Sequence, residues 1–142
     1  MSKKVLILNN RSLMRKMIVR TFNNNGYTVV GEARNISEAV AAYKNLNPDL
    51  VIIDAEMAYS YRIKAIELIY SLNARAGIAL LSILGPKVFI VDPVDPVSDD
   101  FIISRLPEDH PLLIIEKEFS KSLLNYLNSL NYASFIIPSQ AG

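Results

Sequence analysis

The stretch NPDLVIID, residues 47–54, is the most informative part of the sequence. Pro48 disfavours helix, four continuous apolar residues follow, and the run ends at Asp54. A short apolar run with polar boundaries is typical of a strand that is buried on both faces of a parallel sheet. Open α/β sheets bind their ligands at the carboxyl ends of such strands. Asp54 is therefore the first candidate for a functional residue.

The same alternation continues in both directions from this stretch. Apolar runs predict further strands, and segments with helical spacing lie between most of them. The predicted strands are 5–8, 27–30, 50–53, 78–81 and 101–103, and the predicted helices are 12–25, one opening at Ser37, 62–73 and 111–131. We expect Asn10 or Ser12 to cap the first helix. The order implies an α/β fold with a doubly wound, five-stranded parallel sheet and right-handed crossovers.

Residues 86–99 interrupt this alternation. A helix belongs there in a regular fold, but Pro93 and Pro96 would each cost roughly 3 kcal/mol in a helix interior. We therefore expect an extended or broken connection in place of the fourth helix. The apolar run 88–91 is either part of the core, which we favour, or an exposed interaction strip.

Length and composition restrict the remaining options. The chain has 142 residues, and we expect one domain over 1–131 followed by a C-terminal tail, 132–142, without clear periodicity. Cysteine is absent, which excludes disulfides and thiolate metal sites. With 15 basic and 14 acidic residues, the net charge of +1 gives no footprint for nucleic acid or an anionic membrane. No apolar segment suits a membrane span or a signal peptide, so we expect a cytoplasmic protein.

Polar side chains follow several of the predicted strands. Asn9 and Asn10 follow the first strand, Asp54 the third, Ser82 the fourth and Ser104 the fifth. The carboxyl ends of parallel strands share one edge of a sheet, so we expect these side chains to converge on one small pocket.

Five segments in this order resemble one protein family. They are KVLIL and SLMRKM at 4–8 and 12–17, GYTVVGEA at 26–33, NPDLVIID at 47–54 and SILG at 82–85. Together they resemble the receiver domain of bacterial two-component response regulators, closest in character to chemotaxis-type receivers. The resemblance is continuous over residues 3–106 and implies the flavodoxin-like receiver fold with strand order 2-1-3-4-5, its fourth helix here replaced or broken by prolines.

The resemblance also implies a reaction site. In the family, an aspartate accepts a phosphoryl group, an acidic pair and a backbone carbonyl hold Mg²⁺, and a hydroxyl and a lysine bind the phosphoryl oxygens. Asp54 matches the phospho-acceptor, Ser82 the hydroxyl and Glu56 the carbonyl donor. Asn9 and Asn10 stand where the acidic pair is expected.

The lysine of this site can be placed in two ways. Ser104 lies 22 residues after Ser82, close to the family interval, and would then replace the lysine, with Arg105 beside it. Lys117 is the alternative and requires an insertion of 13 residues. We prefer the placement without a gap.

These substitutions weaken the expected metal site. Mg²⁺ prefers carboxylate oxygens, and the matched positions retain one. We expect no metal, with Asn10, Asp54 and Glu56 as weak candidates, and no cofactor unless Asp54 is phosphorylated with Mg²⁺. Glu56 either turns inward as a second carboxylate or is a solvated loop acid, and we favour the latter.

The sequence therefore predicts a pseudo-receiver that is not an enzyme and that acts through protein–protein interaction. Its expected partner is a histidine kinase, a downstream effector or a second copy of the chain, without nucleic acid or membrane. The alternative is a phosphorylatable receiver in which Glu56, Arg105 or Lys117 replaces missing groups. A small-molecule binder on the same architecture is disfavoured because residues 9–12 lack the glycines of a phosphate-binding loop.

Overall fold

The computed structural model describes residues 2–83, 85–94 and 100–141, with side chains as far as Leu130. Leu84 and Pro96, which entered the expectations above, lie outside the described residues. From β1 to β4, strands and helices alternate along the chain as the sequence predicts. The strands are β1 (Lys3–Leu8), β2 (Tyr27–Ala33), β3 (Leu50–Asp54), β4 (Ile78–Ser82), β5 (Lys87–Pro93) and β6 (Phe101–Arg105), and the helices are α1 (Ser12–Asn23), α2 (Ile36–Leu46), α3 (Tyr59–Leu72) and α4 (Leu113–Ala141).

The sheet has a parallel part and an antiparallel edge. Its order is β2-β1-β3-β4-β5-β6, and the first four strands in this order are parallel. β5 runs antiparallel to β4, and β6 runs antiparallel to β5. The predicted α/β class with a parallel core is confirmed. The prediction of five parallel strands is corrected to six strands of mixed direction, with the predicted fifth strand at the position of β6.

A short connection explains the direction of β5. Ser82 at the end of β4 pairs with Lys87 at the start of β5, and Gly85 between them has a φ of 111°, which suits glycine. A parallel neighbour would require a crossover of about a dozen residues or more. Residues 88–91 are β-branched or aromatic, which favours a strand. The expectation of an extended segment instead of a fourth helix is therefore confirmed for 87–93.

Helices cover both faces of the parallel strands. α2 and α3 pack on one face, where Tyr43 and Ile66 join a buried cluster. α1 and α4 pack on the other, where Phe22 and Phe119 join a second cluster. Successive residues of β1 and β3 point to opposite faces and so belong to alternate clusters. The molecule is doubly wound as predicted.

The ends of the helices differ in detail from the prediction. α1 is preceded by Arg11, which makes no side-chain capping bond, so the expected caps from Asn10 and Ser12 are absent. Asn35 caps α2 by accepting a hydrogen bond from the Glu38 N–H at 2.8 Å. The backbone of α4 continues to Ala141, beyond the predicted end at 131. The division into a domain over 1–131 and a tail remains a prediction. Among the helices described, none has the length and apolar character needed to cross a membrane.

Candidate functional site

The carboxyl ends of β1, β3 and β4 meet at one edge of the sheet. Leu8 lies opposite Ile53, and Asp54 lies opposite Leu81, so the residues that follow these strands are neighbours. The exposed fractions of Asn9 and Asp54 are 1% and 3%. A buried carboxylate needs a partner of opposite charge or several hydrogen-bond donors.

Arg11 is the partner of this carboxylate. Its terminal nitrogen Nη2 lies 3.1 Å from Oδ1 and 3.0 Å from Oδ2 of Asp54. The Arg11 side chain keeps 43% of its surface exposed, so solvent reaches one side of the ion pair. Charge-assisted hydrogen bonds of this kind are stronger than neutral ones. Sequence reasoning missed Arg11, although a cation directly after two asparagines was a visible signal.

Asn9 fixes the loop that carries Arg11. Its side-chain Oδ1 accepts a hydrogen bond from the Arg11 N–H at 2.8 Å, and its backbone carbonyl accepts one from Arg15 Nη1 at 2.9 Å. Arg15 Nε in turn donates to Glu32 Oε1 at 3.0 Å. The Asn9 Nδ2 group is buried without a hydrogen-bond partner, whereas Asn10 is exposed. Asn9 thus positions the backbone, and Asn10 lies on the rim.

Glu56 connects β3 to the end of β4. Its backbone N–H donates to Asp54 Oδ1 at 2.9 Å. Its side-chain Oε1 accepts hydrogen bonds from Ser82 Oγ at 3.4 Å and from the Ile83 N–H. The favoured expectation of a solvated loop acid is therefore corrected, because the carboxylate is bound to the protein.

The residues around Asp54 do not fit a magnesium ion. A guanidinium group already spans both oxygens of Asp54, and the Asn9 Oδ1 is used by a backbone N–H. The orphaned Asn9 Nδ2 is a donor, which cannot bind a cation. Within the described residues, no group of three or more His, Cys, Asp or Glu side chains could hold a metal ion.

The two candidates for the lysine position lie on the last strand and the last helix. Ser104 on β6 pairs with Ile90 on β5, and Ile90 pairs with Ala79 on β4. Ser104 is therefore two strands away from β4, at the level of Ala79 and not at the level of Ser82, where β4 ends. The expected convergence of Ser104 does not hold, because β5 is inserted between β4 and β6. Lys117 is exposed on α4.

Arg105 has partners of its own at the sheet edge. It donates from Nη1 to the Val88 carbonyl at 3.1 Å and to Glu116 Oε2 at 3.0 Å. Burial alone would raise the pKa of Glu116, but the hydrogen bonds from Arg105 and the Val88 N–H and the positive charge of Arg105 lower it below the usual value. Arg105 therefore holds β5 and α4 together.

Comparisons with known proteins agree with this fold. Residues 5–110 match the family of response regulator receiver domains. Chemotaxis protein CheY of Bacillus subtilis (strain 168) is 34% identical over 117 residues, which cover 82% of this chain and 98% of that protein. CheY of Thermotoga maritima is 36% identical over 103 residues, covering 72% of this chain and 86% of that protein.

Solved structures show the same likeness over a shorter range. A crystal structure of the CheX–CheY–BeF3–Mg²⁺ complex from Borrelia burgdorferi matches with a TM-score of 0.52 at 28% identity, covering 58% of this chain and 63% of that chain. The structural match thus spans less than two thirds of the solved chain, while the sequence match spans nearly all of the Bacillus protein. With a family match over most of its length and relatives above 30% identity, the chain belongs to the response regulator receiver domain family.

Proposed function

We propose that this receiver domain signals through protein–protein interaction and that Mg²⁺-dependent phosphorylation of Asp54 is impaired or lost. The observation that carries the proposal is the contact of Arg11 Nη2 with both oxygens of Asp54, at 3.1 Å and 3.0 Å. A carboxylate nucleophile engaged in this way must release its partner before it can attack. In this proposal the domain is a cytoplasmic binding module and not an enzyme.

The charges of the pocket support the proposal. Phosphoryl transfer requires the charge of the transferred group to be neutralised while the nucleophile is held in line. Asn9 and Asn10 are neutral, and Ser104 on β6 is not beside Asp54. Arg11 supplies one positive charge, but this charge is already paired with the unmodified Asp54 carboxylate and does not face a phosphoryl group.

A direct test is to incubate the protein with Mg²⁺ and acetyl phosphate or phosphoramidate and to measure the intact mass. We expect no phosphoryl adduct. Asp54→Asn serves as the control for modification elsewhere. A stoichiometric adduct on the wild type that is absent from Asp54→Asn would overturn the proposal.

The same result would establish the alternative, a phosphorylatable receiver with non-standard pocket residues. The retained Asp54 and Ser82, with Arg11 as the nearby cation, are the features that favour it. In that case Arg11→Ala should abolish the adduct, because Arg11 would then neutralise the transferred group. In the favoured reading Arg11→Ala also shows no adduct, because Asp54 is then released but the neutral Asn9 and Asn10 still leave no Mg²⁺ site.

Restoring the acidic pair should restore metal binding. The triple variant Asn9→Asp, Asn10→Asp, Arg11→Ala places three carboxylates together, which Mg²⁺ prefers. We expect added MgCl2 to raise the melting temperature of the triple variant and not that of the wild type, since a ligand that binds the native state stabilises it. NaCl at matched ionic strength and Arg11→Ala alone are the controls. Equal stabilisation of the wild type by MgCl2 would contradict this account.

The antiparallel edge supports an interaction role. β6 is the last strand of the sheet, and Ile102 and Ile103 point to opposite faces yet keep 56% and 40% of their surfaces exposed. An exposed apolar strand at a sheet edge is a common place for another protein chain to bind. We propose that a signalling partner, a histidine kinase or a downstream effector, binds here, with a second copy of the chain as the alternative.

Sedimentation equilibrium of the wild type and of Ile102→Lys tests the second copy. If β6 pairs with itself, the wild type is a dimer and Ile102→Lys is a monomer of unchanged stability, because exposed substitutions usually change stability by less than about 0.5 kcal/mol. The matched control is Leu124→Lys, an exposed position on α4. A dimer that persists in Ile102→Lys places the interface elsewhere, and a monomeric wild type excludes the second copy.

A further inference from the structure

Two hydrogen-bond donors at the end of β4 converge on one oxygen atom. The hydroxyl of Ser82 and the backbone N–H of Ile83 both donate to Oε1 of Glu56. Adjacent donors that point at one place form an anion-binding site. In this chain the anion that occupies the site is a side chain two residues beyond Asp54.

We propose that Glu56 is a permanent internal substitute for a phosphoryl group at the Ser82–Ile83 site. The resemblance to receivers assigns Ser82 to phosphoryl oxygens, and the Glu56 carboxylate is a negatively charged oxygen acceptor at that hydroxyl. This inference builds on the proposed function, since a site filled by the chain itself leaves no place for an added group. It explains how such a domain could hold one conformation without phosphorylation.

The backbone of the loop after β3 turns so that the Glu56 side chain can reach the end of β4. The Glu56 N–H is anchored on Asp54 Oδ1 at 2.9 Å, and the Met57 N–H lies 3.4 Å from the Asp54 carbonyl. These contacts turn the chain back within three residues of β3. The Glu56 side chain then reaches across to the neighbouring strand, where Ile83 is buried. Glu56 therefore ties the β3–α3 loop to the end of β4.

Hydrogen exchange at the Ile83 amide measures the strength of its hydrogen bond to Glu56. In Glu56→Ala the Ile83 N–H loses its acceptor. We expect this amide to exchange at least about tenfold faster than in the wild type, because a hydrogen bond to a charged group is lost. Glu56→Gln retains a neutral oxygen acceptor, so its Ile83 amide should exchange at a rate between those of the wild type and Glu56→Ala. Glu67→Ala, an exposed acid on α3, is the matched control and should leave Ile83 unchanged.

Inorganic phosphate tests the anion site itself. Without the carboxylate, Ser82 and Ile83 are free to bind an external oxyanion, so phosphate should shift their amide resonances in Glu56→Ala in a saturable way. The wild type and Glu67→Ala should show no such shift.

Two results would overturn the inference. They are an Ile83 amide that exchanges equally fast in the wild type and in both Glu56 variants, and phosphate shifts of equal size in the wild type. Neither result depends on the mass measurement at Asp54. An adduct on Asp54 with a protected Ile83 amide would reject the proposed function and retain the Glu56–Ile83 hydrogen bond as a contact that does not exclude a phosphoryl group. If Glu56→Ala does not fold, the comparison of Glu56→Gln with the wild type decides the question.

Discussion

Arg11 places a fixed positive charge against a carboxylate that is 3% exposed. Moving a charge from water into a protein interior is costly, and removing one member of a buried pair leaves that cost uncompensated. The Arg11 side chain is 43% exposed, so solvent screens the interaction and lowers its value well below that of a fully buried pair. The pair is therefore a moderate contribution to stability and a strong constraint on the chemistry of Asp54.

Arg11→Ala should lower the free energy of unfolding by about 1–2 kcal/mol at neutral pH, because Asp54 then retains a backbone donor but loses its cation. Urea denaturation followed by circular dichroism measures the change. Lys16→Ala, an exposed lysine on the helix that follows Arg11, is the matched control and should stay close to the wild type. Equal stability of Arg11→Ala and the wild type would show that the ion pair contributes nothing.

At the scale of elements, β5 and β6 form a hairpin that is attached from both faces of the sheet. On one face the Tyr70 hydroxyl of α3 donates to the Val91 carbonyl at 3.2 Å, and burial with the nearby charge of Asp92 raises the pKa of Tyr70 to about 12. At the other end, Glu116 of α4 accepts from the Val88 N–H at 2.8 Å and from Arg105. The pairing of β5 with β6 begins at Phe89, so the Val88 N–H has no partner on β6. Glu116 on α4 accepts the hydrogen bond from this N–H instead.

Glu116→Ala should loosen the hairpin locally. The Val88 N–H and Arg105 both lose an acceptor, and we expect a loss of about 1–2 kcal/mol, measured as faster amide exchange at Val88 and along β5. Amides of β1 and β3 should exchange as in the wild type. Glu118→Ala on the same helix is the control, because its contact with Lys121 is long at 3.9 Å and exposed. Uniformly faster exchange across the whole sheet would contradict a local role.

The Glu116 contact should also depend on pH. Its pKa in the folded protein is below the usual value of 4.5, so unfolding takes up a proton at low pH and stability rises with pH in this range. The contribution is therefore fully present above 4.5 and is lost as the pH falls through the folded-state pKa. We expect the stability difference between the wild type and Glu116→Gln, measured by urea denaturation, to shrink as the pH is lowered below 4.5. A difference that is constant with pH would rule out this linkage.

At the scale of the whole molecule, α4 closes one face of the sheet. Its buried residues Ile115, Phe119 and Leu123, with Leu112 just before the helix, share a cluster with residues of β1 and α1. The last helix therefore packs against the first strand and the first helix. Because the two ends of the domain share one core, we expect them to unfold together.

Phe119→Ala should destabilise the whole domain by about 3–5 kcal/mol, because it leaves a cavity in a fully buried cluster. That loss is a large part of the roughly 5–15 kcal/mol that keeps a typical domain folded. Leu124→Ala, at an exposed position on the same helix, should change stability little. Urea denaturation gives both values, and a small effect of Phe119→Ala would mean that α4 is dispensable for the core.

The sequence predicted much of this fold because apolar runs and helical spacing report burial directly. Residues 50–53 were correctly predicted as a central strand, which the structure gives as Leu50–Asp54, and Pro93 correctly indicated that no helix forms there. The direction of β5 was beyond such reasoning, since an apolar run does not show which strand it pairs with. The Arg11–Asp54 contact was also missed, because it joins residues 43 apart through a side-chain conformation that spacing does not determine.

The contact between Arg11 and Asp54 also bears on how a cell could control this protein. Two groups on one chain meet at an effective concentration that does not vary with the supply of an ion or a phosphate donor. Chelating divalent cations or exhausting small phosphate donors leaves such a pair in place. If phosphorylation of Asp54 is lost, as we propose, the remaining variables are synthesis, degradation and the abundance of the binding partner. Under that proposal the signal of this receiver follows the number of copies present.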